Sequence, residues 1–103
     1  MTAADDLLSE SEISDGLASL PGWIREGDTL MRSVRASSFL GGIDLVNAVA
    51  RAAEDANHHP DITIRWRELT FALSTHSAGG LTAKDLAMAS RIDRIVEAGE
   101  STD

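Results

Sequence analysis

Between residues 61 and 73 the chain reads as two strands with almost nothing between them, and this pattern restricts the fold more than any other. Ile62, Ile64 and Trp66 alternate with Thr63 and Arg65, while Leu69, Phe71 and Leu73 alternate with Thr70, Ala72 and Ser74. Side chains of a strand point to opposite faces in turn, so each run carries one apolar face. The link Arg67-Glu68 is short enough to make the runs antiparallel neighbours, with Trp66 and Phe71 predicted to face a core. A hairpin with one apolar face needs a cover, which the rest of the chain must supply.

The flanking segments supply it. Ser9 with Glu12 three residues on forms a capping box, opening a short helix with Ile13, Leu17 and Leu20 on one face until Pro21-Gly22 stops it. Residues 23–25, the turn Glu26-Gly27-Asp28 and residues 29–35 read as another hairpin, with Leu30, Arg32 and Val34 on one face. Ser37 or Ser38 caps a second helix. Its stripe is Phe39, Ile43, Val46, Ala50 and Ala53, and Gly41-Gly42 weakens its first turn. That helix must end before Pro60, because the residue preceding a proline is pushed out of the helical region. After the loop "HSAGG", Thr82 and Asp85 offer a second capping box. Met88, Ile92 and Ile95, flanked by Ala89 and Val96, mark a third helix ending at Gly99. The order α-β-β-α-β-β-α predicts an α+β fold: a four-stranded antiparallel sheet with three helices packed on one face. Residues 1–8 are expected to be a flexible lead, 9–98 one domain and 99–103 a tail.

Charge and composition narrow the function. Seventeen acidic residues against nine basic ones give a net charge of −8. That field repels phosphate backbones and anionic lipid, so neither nucleic acid nor membrane is an expected partner. The absence of cysteine removes disulfides, thiolate metal sites and thiol nucleophiles. No apolar run approaches the roughly 20 residues that span a bilayer, and the opening "MTAADDLLSE" has neither part of a signal peptide. A soluble, cytoplasmic protein is expected.

All three histidines fall in "EDANHHPDITIRWRELTFALSTH". His58 and His59 precede the first strand of the central hairpin, and His76 follows the second. Folding the hairpin therefore brings them to one end of the sheet. Adjacent residues on an extended segment point opposite ways, so His58 and His59 are expected to differ in role unless the backbone twists before Pro60. Three readings are open at this stage. They are a metal site completed by Asp61, Glu54 or Asp85, ordinary surface histidines, or acid–base catalysis by groups that titrate near neutrality.

"NHHPD", the aromatic Trp66 seven positions beyond the second histidine, and "LSTHSAGGLTAKDLAMASRID" closely resemble the signature of the pterin-4a-carbinolamine dehydratases. "LPGW", Arg32, Phe39 and "AVARAAE" extend the resemblance over roughly residues 13–96. It implies the fold already sketched and a homodimer or homotetramer. It also implies dehydration of 4a-hydroxytetrahydrobiopterin to quinonoid dihydropterin, a tetrahydrobiopterin-recycling step, with no metal and no cofactor beyond the pterin substrate. The implied catalytic set is His58, His59, His76 and Asp85. His59 and His76 would serve the departing hydroxyl and His58 the N5 proton. Asp85 would orient His76 or act as a plain helix cap. The implied pterin contacts are His58, His59, Pro60, Asp61, Thr75, His76, Ser77 and Ala78. Animal members also serve as dimerisation cofactors of a homeodomain transcription factor, so a non-enzymatic pterin-binding or coactivator-like module is the rival. Small residues at Val34 and Ala36, and the Gly41-Gly42 pair, depart from relatives and bear on packing and oligomer geometry.

Overall fold

The computed structural model describes residues 6–100, and the flexible lead and tail expected from the sequence fall largely outside them. The elements are α1 (Glu10–Leu17), β1 (Ile24–Glu26), β2 (Thr29–Arg35), α2 (Phe39–Ala56), β3 (Asp61–Arg65), β4 (Glu68–Leu73) and α3 (Ala83–Glu100), with a 3-10 turn at His76–Ala78. The strands form one antiparallel sheet in the order β1-β2-β4-β3. The α+β architecture is the expected one.

Register follows from burial. Leu30 pairs with Leu73, Arg32 with Phe71 and Val34 with Leu69, while Ile62 and Ile64 pair with Phe71 and Leu69. Directly paired residues share a face, so these side chains make one apolar surface. Against it lie Val49 and Ala52 of α2 and Met88, Ala89, Ile92 and Val96 of α3, all buried. Phe71, with no exposed surface, sits at the centre. Truncating such a residue typically costs about 3–5 kcal/mol. Arg32 can share this face because its guanidinium is neutralised by Asp93 of α3, which also accepts a hydrogen bond from Trp23 Nε1 at 2.8 Å.

The helix starts match the sequence signals. Ser9 Oγ accepts from Glu12 N at 3.1 Å while Glu12 Oε1 accepts from Ser9 N at 2.8 Å, the full capping box. Of the two serine candidates, Ser38 caps α2 by accepting from Gly41 N at 2.9 Å. The third helix passes through Gly99 rather than ending there.

Two expectations about core residues are corrected. The buried face of α2 is Gly42, Val49, Ala52 and Ala53, whereas Phe39 and Ala50 of the expected stripe are exposed. A Cβ on Gly42 would lie 3.5 Å from Ala36 and 3.6 Å from Leu69, ordinary contact distances, so this buried position has room for a methyl group. Trp66 is 66% exposed rather than buried. Arg65 pairs with Glu68, so the hairpin link is Trp66-Arg67, one residue earlier than expected. Trp66 takes a left-handed φ of 54° there, and the Arg67 guanidinium lies 4.8 Å from its ring centre.

Candidate active site

The histidine end of the hairpin is built by the way α2 stops. Asn57 adopts the left-handed conformation (φ 50°, ψ 44°), which asparagine tolerates better than most residues. His58 N then bonds back to Ala53 O at 3.1 Å, the six-to-one bond of a Schellman-type helix end. This reversal turns His58 inward, where it is 9% exposed, and leaves His59 facing solvent. The two adjacent imidazoles thus point apart, as expected of an extended pair, and Pro60 leads directly into β3.

His58 Nε2 lies 2.6 Å from Asp85 Oδ1. The other carboxylate oxygen accepts from Thr75 Oγ1 at 2.8 Å and from Thr82 N at 2.9 Å. Asp85 is fully buried. Two of the three, the Thr75 hydroxyl and the Thr82 N–H, donate to Oδ2, and a carboxylate acting as acceptor throughout pairs with a His58 ring that carries its hydrogen on Nε2. That leaves Nδ1 as the free ring nitrogen. The expectation that Asp85 orients His76 is therefore corrected: its oxygens are taken by His58, Thr75 and Thr82. The cap alternative holds in part, since the Thr82 N–H is one of those three donors.

His59 Nε2 lies 2.5 Å from Glu54 Oε2 on the surface, which accounts for Glu54. His76 is exposed at the head of the 3-10 turn that closes on Gly79, whose φ of 78° falls where glycine is favoured. The turn spends both backbone groups of Thr75 and the N–H of Ala78 internally: Thr75 N reaches Gly80 O, and Thr75 O accepts from Ala78, Gly79 and Gly80. Of the expected pterin contacts, Thr75 therefore presents neither its hydroxyl nor its backbone outward. His76 and Ser77 are exposed and Ala78 half-buried. Asp61 is exposed and Pro60 half-buried at the neighbouring strand entry. The link from His58 through Asp85 to Thr75, the residue before His76, ties both arms of the hairpin into one cluster.

Two further features bound the site. Trp66 lies at the far end of β3, about 17 Å away at strand rise, so it is no stacking plate for this cluster within one chain. A cleft of about 520 Å³ also lies at that far end, lined by residues 34–37 with Gly41, Asp44 and Leu45 of α2 and Ile95 and Val96 of α3. It holds no histidine, and its walls are mostly apolar. Imidazole is the side chain whose ordinary titration range spans neutrality, and the three imidazoles are at the other end of the sheet. A shallower depression along α2 reaches Glu54, beside His59. Among the described residues no cluster has the composition of a metal site. Thr82 is the participant that the sequence marked only as a cap.

Residues 6–95 match the sequence profile of the family described as pterin 4 alpha carbinolamine dehydratase. A relative in Mycobacteroides abscessus, provisionally named for that activity, is 59% identical over 87 residues, 84% of this chain and 93% of its own. One in Nocardia farcinica, named likewise, is 56% identical over 90 residues, 87% and 95% of the two chains. A crystal structure of a transcriptional coactivator/pterin dehydratase from Brucella melitensis superposes with a TM-score of 0.81 at 30% identity, covering 86% of this chain and 97% of that one. A pterin dehydratase-like protein identified as a RuBisCO assembly factor in the alpha-carboxysome shares the fold at a TM-score of 0.59 and 19% identity, over 72% and 86% of the chains. With its fold and the profile match spanning nearly the whole chain, the protein belongs to the pterin-4a-carbinolamine dehydratase family.

Proposed function

We propose that the protein is a 4a-hydroxytetrahydrobiopterin dehydratase acting through His58, His59 and His76. The observation that carries this reading is the buried Asp85–His58 pair at 2.6 Å, in one cluster with the segment bearing His76. A binding module has no use for a carboxylate sunk behind an imidazole, whereas a base benefits from one. In the reaction the C4a–O bond breaks, the hydroxyl leaves as water after taking a proton, N5 gives up its hydrogen, and a C4a=N5 double bond forms. His58, with Asp85 behind it and Nδ1 free, takes the N5 proton. His59 and His76, the exposed pair, protonate the hydroxyl and bind water. Such acid–base help is worth roughly 10²–10⁴ in rate. Acid, base and substrate complete the proton balance, so the reaction asks for no metal or organic cofactor.

The same reading places the enzyme in the cytoplasm as a homodimer or homotetramer. No helix among the described residues is long and apolar enough to cross a membrane. Ile64 on the edge strand β3 and Phe39 and Leu40 on α2 are exposed apolar groups that a second copy would cover. The rival, a pterin-binding or coactivator-like module, shares the coactivator label of the Brucella structure. Freshly made carbinolamine separates the two. An enzyme accelerates its loss, with a rate that changes between about pH 5 and 8, where imidazole titrates. Pterin binding without acceleration would overturn the dehydratase reading.

A further inference from the structure

Behind His58 lies a chain of hydroxyls whose hydrogens run in one direction. Thr75 Oγ1 and Thr82 Oγ1 are 2.8 Å apart, and both residues are buried, at 4% and 0% exposure. A hydroxyl has one hydrogen to give. Thr75 spends its own on Asp85 Oδ2, so the hydrogen between the two threonines comes from Thr82. Thr82 Oγ1 in turn accepts from Lys84 N at 3.3 Å. The order is Lys84 N–H to Thr82, Thr82 to Thr75, and Thr75 to Asp85. Thr82 also delivers its backbone N–H to the same carboxylate oxygen.

Oδ2 is thereby filled by donors that do not titrate, and Oδ1 is left to face His58 as an acceptor. A carboxylate held this way admits one arrangement of the neutral ring: hydrogen on Nε2, lone pair on Nδ1. Without the Thr82 hydroxyl, the Thr75 hydroxyl loses the donor that orients and polarises it, so its bond to Asp85 Oδ2 weakens and the carboxylate is held less firmly in rotation.

We propose that Thr82, acting through Thr75, is a positioning residue that fixes Asp85 as an acceptor and so sets the tautomer in which His58 presents Nδ1 to the substrate. The catalytic consequence rests on the dehydratase reading above, while the tautomer itself does not. Outer partners of metal-bound histidines matter by about 10–100-fold, and the same order is the scale for kcat in Thr75→Val. Thr82→Val, which keeps the backbone donor, loses less, about tenfold. KM should stay put in both, because neither hydroxyl faces the pterin.

The test pairs long-range ¹H–¹⁵N spectra of the histidine rings at alkaline pH with kinetics. Wild type should show His58 with hydrogen on Nε2. Thr75→Val and Thr82→Val should shift it toward a tautomer mixture, and Thr82→Ser, which restores the hydroxyl, should return both spectrum and kcat. Hydrogen on Nδ1 in wild type overturns the proposal from one spectrum, whether or not any variant folds. An unchanged tautomer in folded valine variants overturns it equally, as does a kcat loss that Thr82→Ser does not rescue. If wild type fails to turn over carbinolamine, the dehydratase reading falls, and the spectra still decide the relay.

Discussion

Removing the Asp85 carboxylate should unfold more of the protein's stability than any surface change. In Asp85→Ala two buried donors lose their acceptor: His58 Nε2, on a side chain 10% exposed, and the N–H of Thr82, fully buried. If the Thr75 hydroxyl turns to Thr82 Oγ1, 2.8 Å away, it releases the Thr82 hydrogen instead; hydroxyls can rotate to a new acceptor, so the sum counts only the two fixed N–H donors. Each stranded donor costs about 1–3 kcal/mol, so the loss is about 2–6 kcal/mol from a total that for small domains is about 5–15. Asp85→Asn keeps the shape. Its carbonyl can serve Thr75 and Thr82, but its amide then meets His58 Nε2 and forces the hydrogen to Nδ1. Only the charge assistance is lost, about 1–3 kcal/mol over three bonds. Urea titration reads both. With a slope of about 1–2 kcal/mol/M, the Asp85→Ala midpoint falls by more than about 1 M and the Asp85→Asn midpoint by less. Turnover falls by roughly 10²–10⁴ in both, because Asn leaves no lone pair on Nδ1. If Asp85→Ala costs under about 1 kcal/mol, or less than Asp85→Asn, the acceptor account is wrong.

Two other outcomes follow from single sites. Gly42→Ala adds a Cβ at ordinary contact distance from Ala36 and Leu69 and removes a glycine from a helix, so stability should rise by about 0.5–1 kcal/mol; a fall in the urea midpoint would show that α2 lies too close to the sheet to admit the methyl group. The Glu10 carboxyl is held below its usual range by its hydrogen bond and charge interaction with Arg25. Its contribution is therefore present above the normal carboxylate range and lost as pH falls through the lowered value. In Arg25→Ala the Glu10 carbon resonance should titrate at higher pH, and an unmoved midpoint would show that the pair does not form in solution.

The sequence disclosed the element order because its signals were local: the Ser9–Glu12 box, the Ser38 cap, Pro60 and the alternation from Leu69 to Leu73. It misassigned Trp66 because the alternation runs one residue past the strand. No glycine or asparagine marks the Trp66-Arg67 turn, although the left-handed φ there would favour one. It misread α2 because Phe39, Leu40 and Ile43 make the helix apolar around more than one face, so its period names no unique inner side. At the site, spacing gathered the histidines at one end but not their partners. Asp85 lies nine residues from His76 and 27 from His58, and only the tertiary fold shows that it bonds the distant one. The Arg32–Asp93 pair, 61 residues apart, was hidden for the same reason.

In a dehydratase built this way, chemistry occurs at the histidine end of the sheet and not in the cleft at the other end. The measurement is carbinolamine dehydration by three proteins side by side: wild type, His76→Ala, and Ala48→Leu, which puts a bulkier side chain on a residue of α2 that also lines the cleft. Turnover should fall by about two orders of magnitude in His76→Ala and stay near wild type in Ala48→Leu. The reverse pattern would contradict this placement.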